Sequence, residues 1–473
     1  MRAERMILAC LLAVMAWAVT GVGPAAAAVS EADRLWTVGA QAFEDGLYDL
    51  AYRELGRFVQ AAPSDGRRGD ATLLRGKAAF ALGRYADALS EFQAAEALPL
   101  RVYTPGDPVF WQAEVLFRLR RLADARERYS LFLRTDPTSP NAPDALYARG
   151  LSEFELGMPD EALATFNRLL REHPASELAG SAAYAAAREL VRTKRWDEAL
   201  GLLSTYASRF PQSRFLSETR YLLGVSQLEA GRATDGIRTL EQFLAANPTH
   251  ELAPTARFLT AQAQAKAGRP REAIEHYRAL IKQTPANPLI PQALYQIGDL
   301  SQRLGRTADA EAAWKTLRRE HPGDALAEPA GLELGSLYLK RRQFDPAMEV
   351  AREVAEANGA QRLEALLLLG ESALKAGKTA DAQAAYAAAV AEAPPGTAAR
   401  FRALAGVGLV AESLKDHEAA KQAYQIVIEK AEDSELVRWA KGRVREIEAR
   451  EQPPPRPAPK ARPRTRSRSE ARS

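Results

Sequence analysis

Residues 150–184, "GLSEFELGMPDEALATFNRLLREHPASELAGSAAY", set the reading of the whole chain. They place glycine at 150, alanine at 162, phenylalanine at 166 and proline at 174, and their "REHP" (Arg171–Pro174) returns at Arg319–Pro322, 148 residues or four times 37 further on. The same step of 37 from Ala162 lands on Ala51, Ala88, Ala125, Ala199, Gly236, Ala273, Ala310 and Ala347. A bulky residue follows four positions later at Leu55, Phe92, Tyr129, Leu203, Leu240, Tyr277 and Trp314. Proline follows twelve positions later at Pro63, Pro137, Pro211, Pro248, Pro285 and Pro322, and glycine precedes by twelve at Gly39, Gly76, Gly224, Gly298 and Gly335. The series continues off phase at Ala382 and ends at Ala420 with Tyr424, giving eleven units over about residues 30–432.

A period of this length is the mark of a repeat architecture. Gly and Ala at the two small positions let paired helices approach, where a larger side chain would overpack by roughly 1–3 kcal/mol. The bulky residue one turn after the alanine shares its helical face and fills the space between helices. Proline ends the second helix, because it lacks an N–H and disfavours helix at the residue before it. Asp65, Ser139, Ser176, Ser213, Asn287 and Asp324 follow the prolines by two and read as N-caps of the next helix, with Pro140 and Pro288 at its first position. Each unit is therefore expected to be an antiparallel helix pair, and the chain an all-α solenoid.

The pattern Gly150…Ala162-x3-Phe166…Pro174 resembles the tetratricopeptide repeat, whose period is 34. The three extra residues, in "HPASELAGSAAY" and "DPTSPNAPDALY", are expected to lengthen the first helix of each pair. In this style the chain is similar to the periplasmic subgroup that includes the outer-membrane β-barrel-assembly lipoprotein and the Tol–Pal cell-division coordinator. That resemblance implies a periplasmic adaptor rather than an enzyme.

Two irregularities interrupt the series. "ALPLRVYTPGDPVF" inserts a turn-rich loop at Arg101–Asp107, and "EVAEANGAQRLEA" lacks its proline, making Asn358–Gln361 a candidate hinge. Leu436, Trp439 and Val444, at helical spacing, mark residues 433–450 as the capping helix that a solenoid requires.

The ends differ from the body. Residues 1–28 hold Arg2 and Arg5, an apolar run from Met6 to Thr20 and then Ala25–Ala28, the order of a secretory signal peptide cleaved after Ala27 or Ala28. The apolar run is short for a spanning helix. Cys10 is the only cysteine and lies mid-run, so lipid anchoring there is not expected, and a mature chain would have no thiol. The net charge of +4 is uneven, because residues 451–473 contribute +5 and leave residues 29–450 near neutral. That Pro- and Arg-rich tail has no apolar periodicity and reads as disordered. Its roles stay open between a solvated end and a tether to anionic envelope polymer or lipid. Nucleic acid is not the expected partner, since no aromatics interleave the basic residues.

No catalytic constellation stands out. His173 and His321 are repeat equivalents, and no HExxH, GxSxG, Walker or dinucleotide-binding pattern occurs, so neither catalysis nor a metal or cofactor is expected. The signal that does stand out is a row of aromatics at 37-residue spacing in the first helices: Trp36, Phe110, Tyr147, Tyr184, Tyr221, Phe258 and Tyr295, with Leu73 as the skipped rung. By resemblance to the tetratricopeptide family this position lines a concave groove and contacts peptide, where aromatics give rigid contact area. Packing between units is the other reading. Three residues earlier run Asp33, Asp70, Asp107 and Asp144, with Glu218 beyond. They read either as an acidic groove for basic ligands or as carboxylates complementing helix N-termini. The chain is thus expected to be an exported scaffold that binds segments of envelope proteins in a groove. A scaffold for an exopolysaccharide or pilus export machine is the alternative.

Overall fold

Successive alanines and bulky residues of the 37-residue series lie on helices throughout a computed structural model that describes residues 30–451. The expected features of residues 1–28 and of the tail lie outside the described residues, Glu451 excepted. The described chain is all-α with no strand, in twenty-three helices. Contacts divide it into two units, one running to Ala230 and the other starting at Gly231.

The first unit holds α1 (Glu31–Glu44), α2 (Tyr48–Ala61), α3 (Arg68–Ala81), α4 (Tyr85–Glu96), α5 (Gly106–Arg118), α6 (Leu122–Thr135), α7 (Ala142–Glu155), α8 (Pro159–Glu172), α9 (Leu178–Arg192), α10 (Trp196–Arg209) and α11 (Leu216–Glu229). The second holds α12 (Ala233–Ala246), α13 (Ala253–Lys266), α14 (Pro270–Gln283), α15 (Ile290–Arg303), α16 (Thr307–Glu320), α17 (Ala327–Lys340), α18 (Phe344–Glu356), α19 (Arg362–Lys375), α20 (Thr379–Glu392), α21 (Ala398–Ser413), α22 (His417–Lys430) and α23 (Ser434–Glu451). Odd-numbered helices are the first of each pair and even-numbered ones the second. Within each unit a first helix packs on the preceding second helix and, α11 and α23 apart, on its own partner, and neighbouring first helices touch directly: α1 through α11 in the first unit, α17, α19 and α21 in the second.

The small-and-bulky pattern explains the packing. Ala51, Ala88, Ala125, Ala162, Ala199, Ala273, Ala310 and Ala347 are wholly buried, as are Phe92, Tyr129, Phe166 and Tyr277. Burying each large side chain contributes about 1.5–3 kcal/mol. The glycines are the sockets for these rings. A Cβ on Gly150 would lie 2.7 Å from the Phe166 ring, and one on Gly298 would collide with the Trp314 indole. Within a pair the turn is a left-handed helix end. At Gly157 φ is 74°, and Met158 N donates to Glu153 O at 2.9 Å, closing the helix as a Schellman-type cap does.

Three expectations change. The first helices do not gain a turn where the extra residues fall, with 14 residues in both α7 and α8 and 15 against 14 in α9 and α10, so the extra residues build the preceding turn. The residues two after each proline are not N-caps. Ser139, Ser176, Ser213, Asn287 and Asp324 lie two or three residues ahead of the helices, and each accepts the backbone N–H two residues on, at 2.8–3.3 Å. They make Asx- and Ser-type turns. Pro140 and Pro288 lie in those turns as well, ahead of helices that start at Ala142 and Ile290. His250 does the same work in its unit, where its Nδ1 accepts from Leu252 N at 3.1 Å.

The two irregular connections share one device. Asp70 of α3 is fully buried and accepts from Arg101 N and Val102 N at 3.1–3.2 Å. Glu328 of α17 accepts from Gln361 N at 3.1 Å. In both places a carboxylate from an earlier first helix supplies what the proline turn supplies elsewhere. Asn358–Gln361 lies inside the second unit, between helices α18 and α19 that pack closely. The terminal helix α23 buries Ala440 and Ile447, flanked by Leu436 and Val444, while Trp439 stays 38% exposed and edge-on to Tyr424.

Candidate binding face of the first helices

The aromatic row sits near the middle of the first helices, and its rungs differ in what they touch. Phe110 is 5% exposed, packed on Tyr129 and Phe132, and Phe258 is 6% exposed against Tyr277. These two are core residues. Trp36, Tyr147, Tyr184, Tyr221 and Tyr295 are half-buried, each with part of its surface in solvent. Tyr184 stacks on Phe215 at 4.2 Å, and Tyr147 tilts against Phe166 at 5.9 Å. Burial holds the phenols of Tyr147, Tyr221 and Tyr295 above their ordinary range, so they are neutral donors at physiological pH.

Two further features mark this face, and only the first follows the 37-residue period in the sequence. The first is a second aromatic row two turns further along each helix: Phe43, Phe80, Phe117 and Phe154, all half-buried. The other fills the skipped rung. Tyr103, from the inserted loop, lies under the Lys77 ammonium at 4.2 Å, and Trp111 flanks the same ammonium at 5.4 Å. Burial pushes the Lys77 pKa down, and the rings compensate part of that lost solvation.

The acidic row is largely engaged within the protein. Asp33 accepts from its own N-cap partner Ser30 and pairs with Arg67 at 2.9 Å, and these contacts hold its carboxyl below the usual value. Asp70 anchors the loop as described. Asp107 accepts from Thr104 N at 2.7 Å and from the Thr104 hydroxyl at 2.9 Å, which ties the inserted loop to the start of α5. Asp144 is exposed. Local capping and loop anchoring therefore account for three of the four aspartates, and a continuous acidic groove is not what they form.

In the second unit the aromatic row continues as Leu332 and Leu367, 37 and then 35 residues on, which is where the short unit falls. Both line an open cavity of about 430 Å³ between α17, α19 and α21, walled by Ser336, Lys340, Glu371 and Arg402. A second cavity of about 280 Å³ shares Leu367, Glu371, Lys375 and Arg402 and extends to Leu409, Leu436 and Trp439. The phase that carries tyrosines earlier in the chain thus borders the cavity through the half-buried Leu332, while Leu367 is 5% exposed and belongs to the core. Arg402 pairs with Glu364 at 3.1 Å and Lys375 with Glu371 at 2.7 Å, all four side chains well exposed.

Among the described residues no group of His, Cys, Asp and Glu could hold a metal ion. Nor is any described helix long and apolar enough to cross a membrane. The arrangement offers contact area, cations and hydrogen-bonding groups along helix faces, and no convergent set that could do chemistry.

No curated protein matches the chain. Solved structures that are similar to it include that of Naa15/Naa10 bound to HypK-THB, at 14% identity and TM-score 0.41, covering 89% of this chain and 66% of that one. Others are MamA from Desulfovibrio magneticus RS-1, at 17% identity and TM-score 0.34 over 40% of this chain and 99% of that one, and YrrB, described as a tetratricopeptide protein with an unusual peptide-binding site. YrrB is 21% identical with TM-score 0.34, covering 39% of this chain and 90% of that one. The chain thus spans just under two thirds of the first of these. Family models for the tetratricopeptide repeat match residues 110–177, 221–288, 332–397 and 367–435, with a second such model on residues 292–324. With more than half its length matched in this way, the chain belongs to the tetratricopeptide repeat family.

Proposed function

We propose that this protein is an exported, non-enzymatic scaffold that binds segments of partner proteins along its first-helix face and serves cell-envelope or outer-membrane assembly. The observation that carries the binding part is one phase of the repeat. It supplies the half-buried Trp36, Tyr147, Tyr184, Tyr221 and Tyr295 and sets Leu332 at the wall of an open cavity. A repeat that needed this position only for packing would bury it throughout, as it buries the alanines. Stacked helix pairs hold such a face on rigid elements, which favours binding over chemistry. The envelope part rests on the signal-peptide pattern of residues 1–28 and on the sequence resemblance to periplasmic adaptors.

The test is in-cell crosslinking of tagged protein beside the Tyr147/Tyr184/Tyr221→Ala triple variant, with circular dichroism to show that the variant keeps its helices. Envelope-assembly components that crosslink to wild type and are lost with the variant are expected. The same set from both forms contradicts the face assignment. Protein recovered in the cytoplasmic fraction with residues 1–28 still attached contradicts export.

A further inference from the structure

The final residue of the first helix differs between the two units in a regular way. In the second unit it is basic four times running, at Lys266, Arg303, Lys340 and Lys375. The steps are 37, 37 and 35 residues, so the row follows the repeat even through the short unit. A cation at a helix C-terminus is favoured by the macrodipole, which could by itself account for the row. The first unit shows that the fold does not require it. Its first helices end in Glu44, Ala81, Arg118, Glu155, Arg192 and Glu229, and the three glutamates sit at the electrostatically unfavourable end.

These four cations are only lightly engaged. Arg303 pairs with Asp299 at 2.9 Å and Lys375 with Glu371 at 2.7 Å, each four residues back on its own helix and exposed. Exposed pairs of this kind contribute little and exchange readily for a ligand carboxylate. Lys266 and Lys340 are exposed and form no ion pair among the described residues. Beside Lys340 and Lys375 lies the apolar floor of the two adjoining cavities, formed by Leu332, Leu339, Leu367, Leu409 and Trp439.

We propose that the first-helix face of the second unit binds an extended, acidic segment of a partner protein, with carboxylates at every third residue and apolar side chains between them. This rests on the first-helix face being the binding face, and it specifies what one half of that face takes. The spacing follows from geometry. Among the first helices of the second unit α17, α19 and α21 touch, and touching helices lie about 8–10 Å apart. A polyproline-II segment has three residues per turn and rises about 3.1 Å per residue, so every third side chain shares an edge at about 9 Å intervals. Successive carboxylates then meet Lys340 and Lys375 on the touching helices α17 and α19, and the leucine floor takes the apolar side chains. A polymer of uniform negative charge fits less well, because Glu364 and Glu371 stand exposed in the same walls and repel it.

The test uses the purified full-length chain and three fluorescein-labelled dodecapeptides carrying Glu, Gln or Lys at every third position, with leucine and proline between, read by fluorescence anisotropy. Wild type is expected to bind the Glu peptide at least about tenfold more tightly than the Gln peptide, with the advantage shrinking as salt rises. Lys340→Glu/Lys375→Glu, at exposed positions that leave the helical signal unchanged, is expected to abolish the advantage and to favour the Lys peptide. The single Lys340→Glu variant gives the same direction should the double variant lose helix. Equal binding of the Glu and Gln peptides, or an unchanged preference in the variant, overturns the charge assignment and leaves the face itself standing. Tighter binding of poly-glutamate than of the spaced peptide overturns the spacing. Failure of all three peptides overturns the proposal, while the crosslinking of the tyrosine variant decides the broader reading separately.

Discussion

The first helices of the two units are built on one plan and finished differently. In the first unit the face they share carries two aromatic rows, with Tyr147 and Tyr184 in one and Phe117 and Phe154 in the other. In the second unit the first phase turns from Phe258 and Tyr295 to Leu332 and Leu367, the second phase holds Leu339, and four helices close on lysine or arginine. Beneath both faces the core is the same glycine socket and buried ring, Gly150 under Phe166 and Gly298 under Trp314. The difference teaches that the period fixes the scaffold, while the surface phases remain free to take different chemistry. One scaffold thus carries two kinds of contact surface.

The shared scaffold is the part of this comparison most easily broken. Gly150→Val and Gly298→Val should each destabilise by about 3 kcal/mol in urea unfolding, because the ring opposite has no room to move. A loss under 0.5 kcal/mol in either would show that the sockets are not what orders the pairs. The irregular connections come next. Asp70→Ala removes a fully buried carboxylate that accepts from two backbone N–H groups and should cost about 2–3 kcal/mol, with faster proteolysis near Arg101. Glu328→Ala removes the acceptor of one partly buried N–H and should cost about 1 kcal/mol. Equal costs would mean that burial does not set the difference between the two connections.

Smaller effects sharpen the turns. Lys194 occupies a left-handed position, φ 58°, where the equivalent residue of the preceding pair is Gly157. Lys194→Gly should therefore stabilise by about 0.5–1 kcal/mol in thermal melts, whereas Gly157→Lys should destabilise by a similar amount. The smallest concerns Asp65, whose pKa is lowered to about 2, chiefly by the Arg67 side chain and then by its backbone N–H. A folded pKa below the unfolded one, about 3.9, gives stability that is complete well above pH 4 and is lost as pH falls toward 2. The stability gap between wild type and Asp65→Asn should close over that window. A gap that stays constant from pH 6 to 2 would remove Asp65 from the account.

Most of the scaffold was legible because it depends on residue size at a fixed spacing. Ala162, Phe166 and Gly150 have to fit one another, and steric fit shows in sequence as alternation of small and large. The turns were legible in composition and not in register. A serine or aspartate that accepts an N–H two residues on looks the same in sequence as one that caps a helix, and only the backbone separates Ser139 from an N-cap. The candidate face was legible in phase alone. Phe110 is covered by the two rings of Tyr129 and Phe132, whereas Tyr147 tilts against the one ring of Phe166 and stays half-buried. Asp70 read as part of an acidic row because its true partners, Arg101 N and Val102 N, lie 31 and 32 residues away in an insertion. The phenylalanine and cation rows required only the same count of 37, applied at two more phases.

The account's central claim is that partners contact the first helices and not the second. The direct measurement places a photo-crosslinking amino acid, one site at a time, at Tyr147 and Lys340 on first helices and at Glu161 and Arg271 on exposed positions of second helices, in full-length protein expressed in cells. Adducts from 147 and 340, different in partner segment and acidic at 340, with little or none from 161 and 271, are the predicted result. Adducts that form mainly from 161 and 271 would contradict the account and move the binding surface to the second helices.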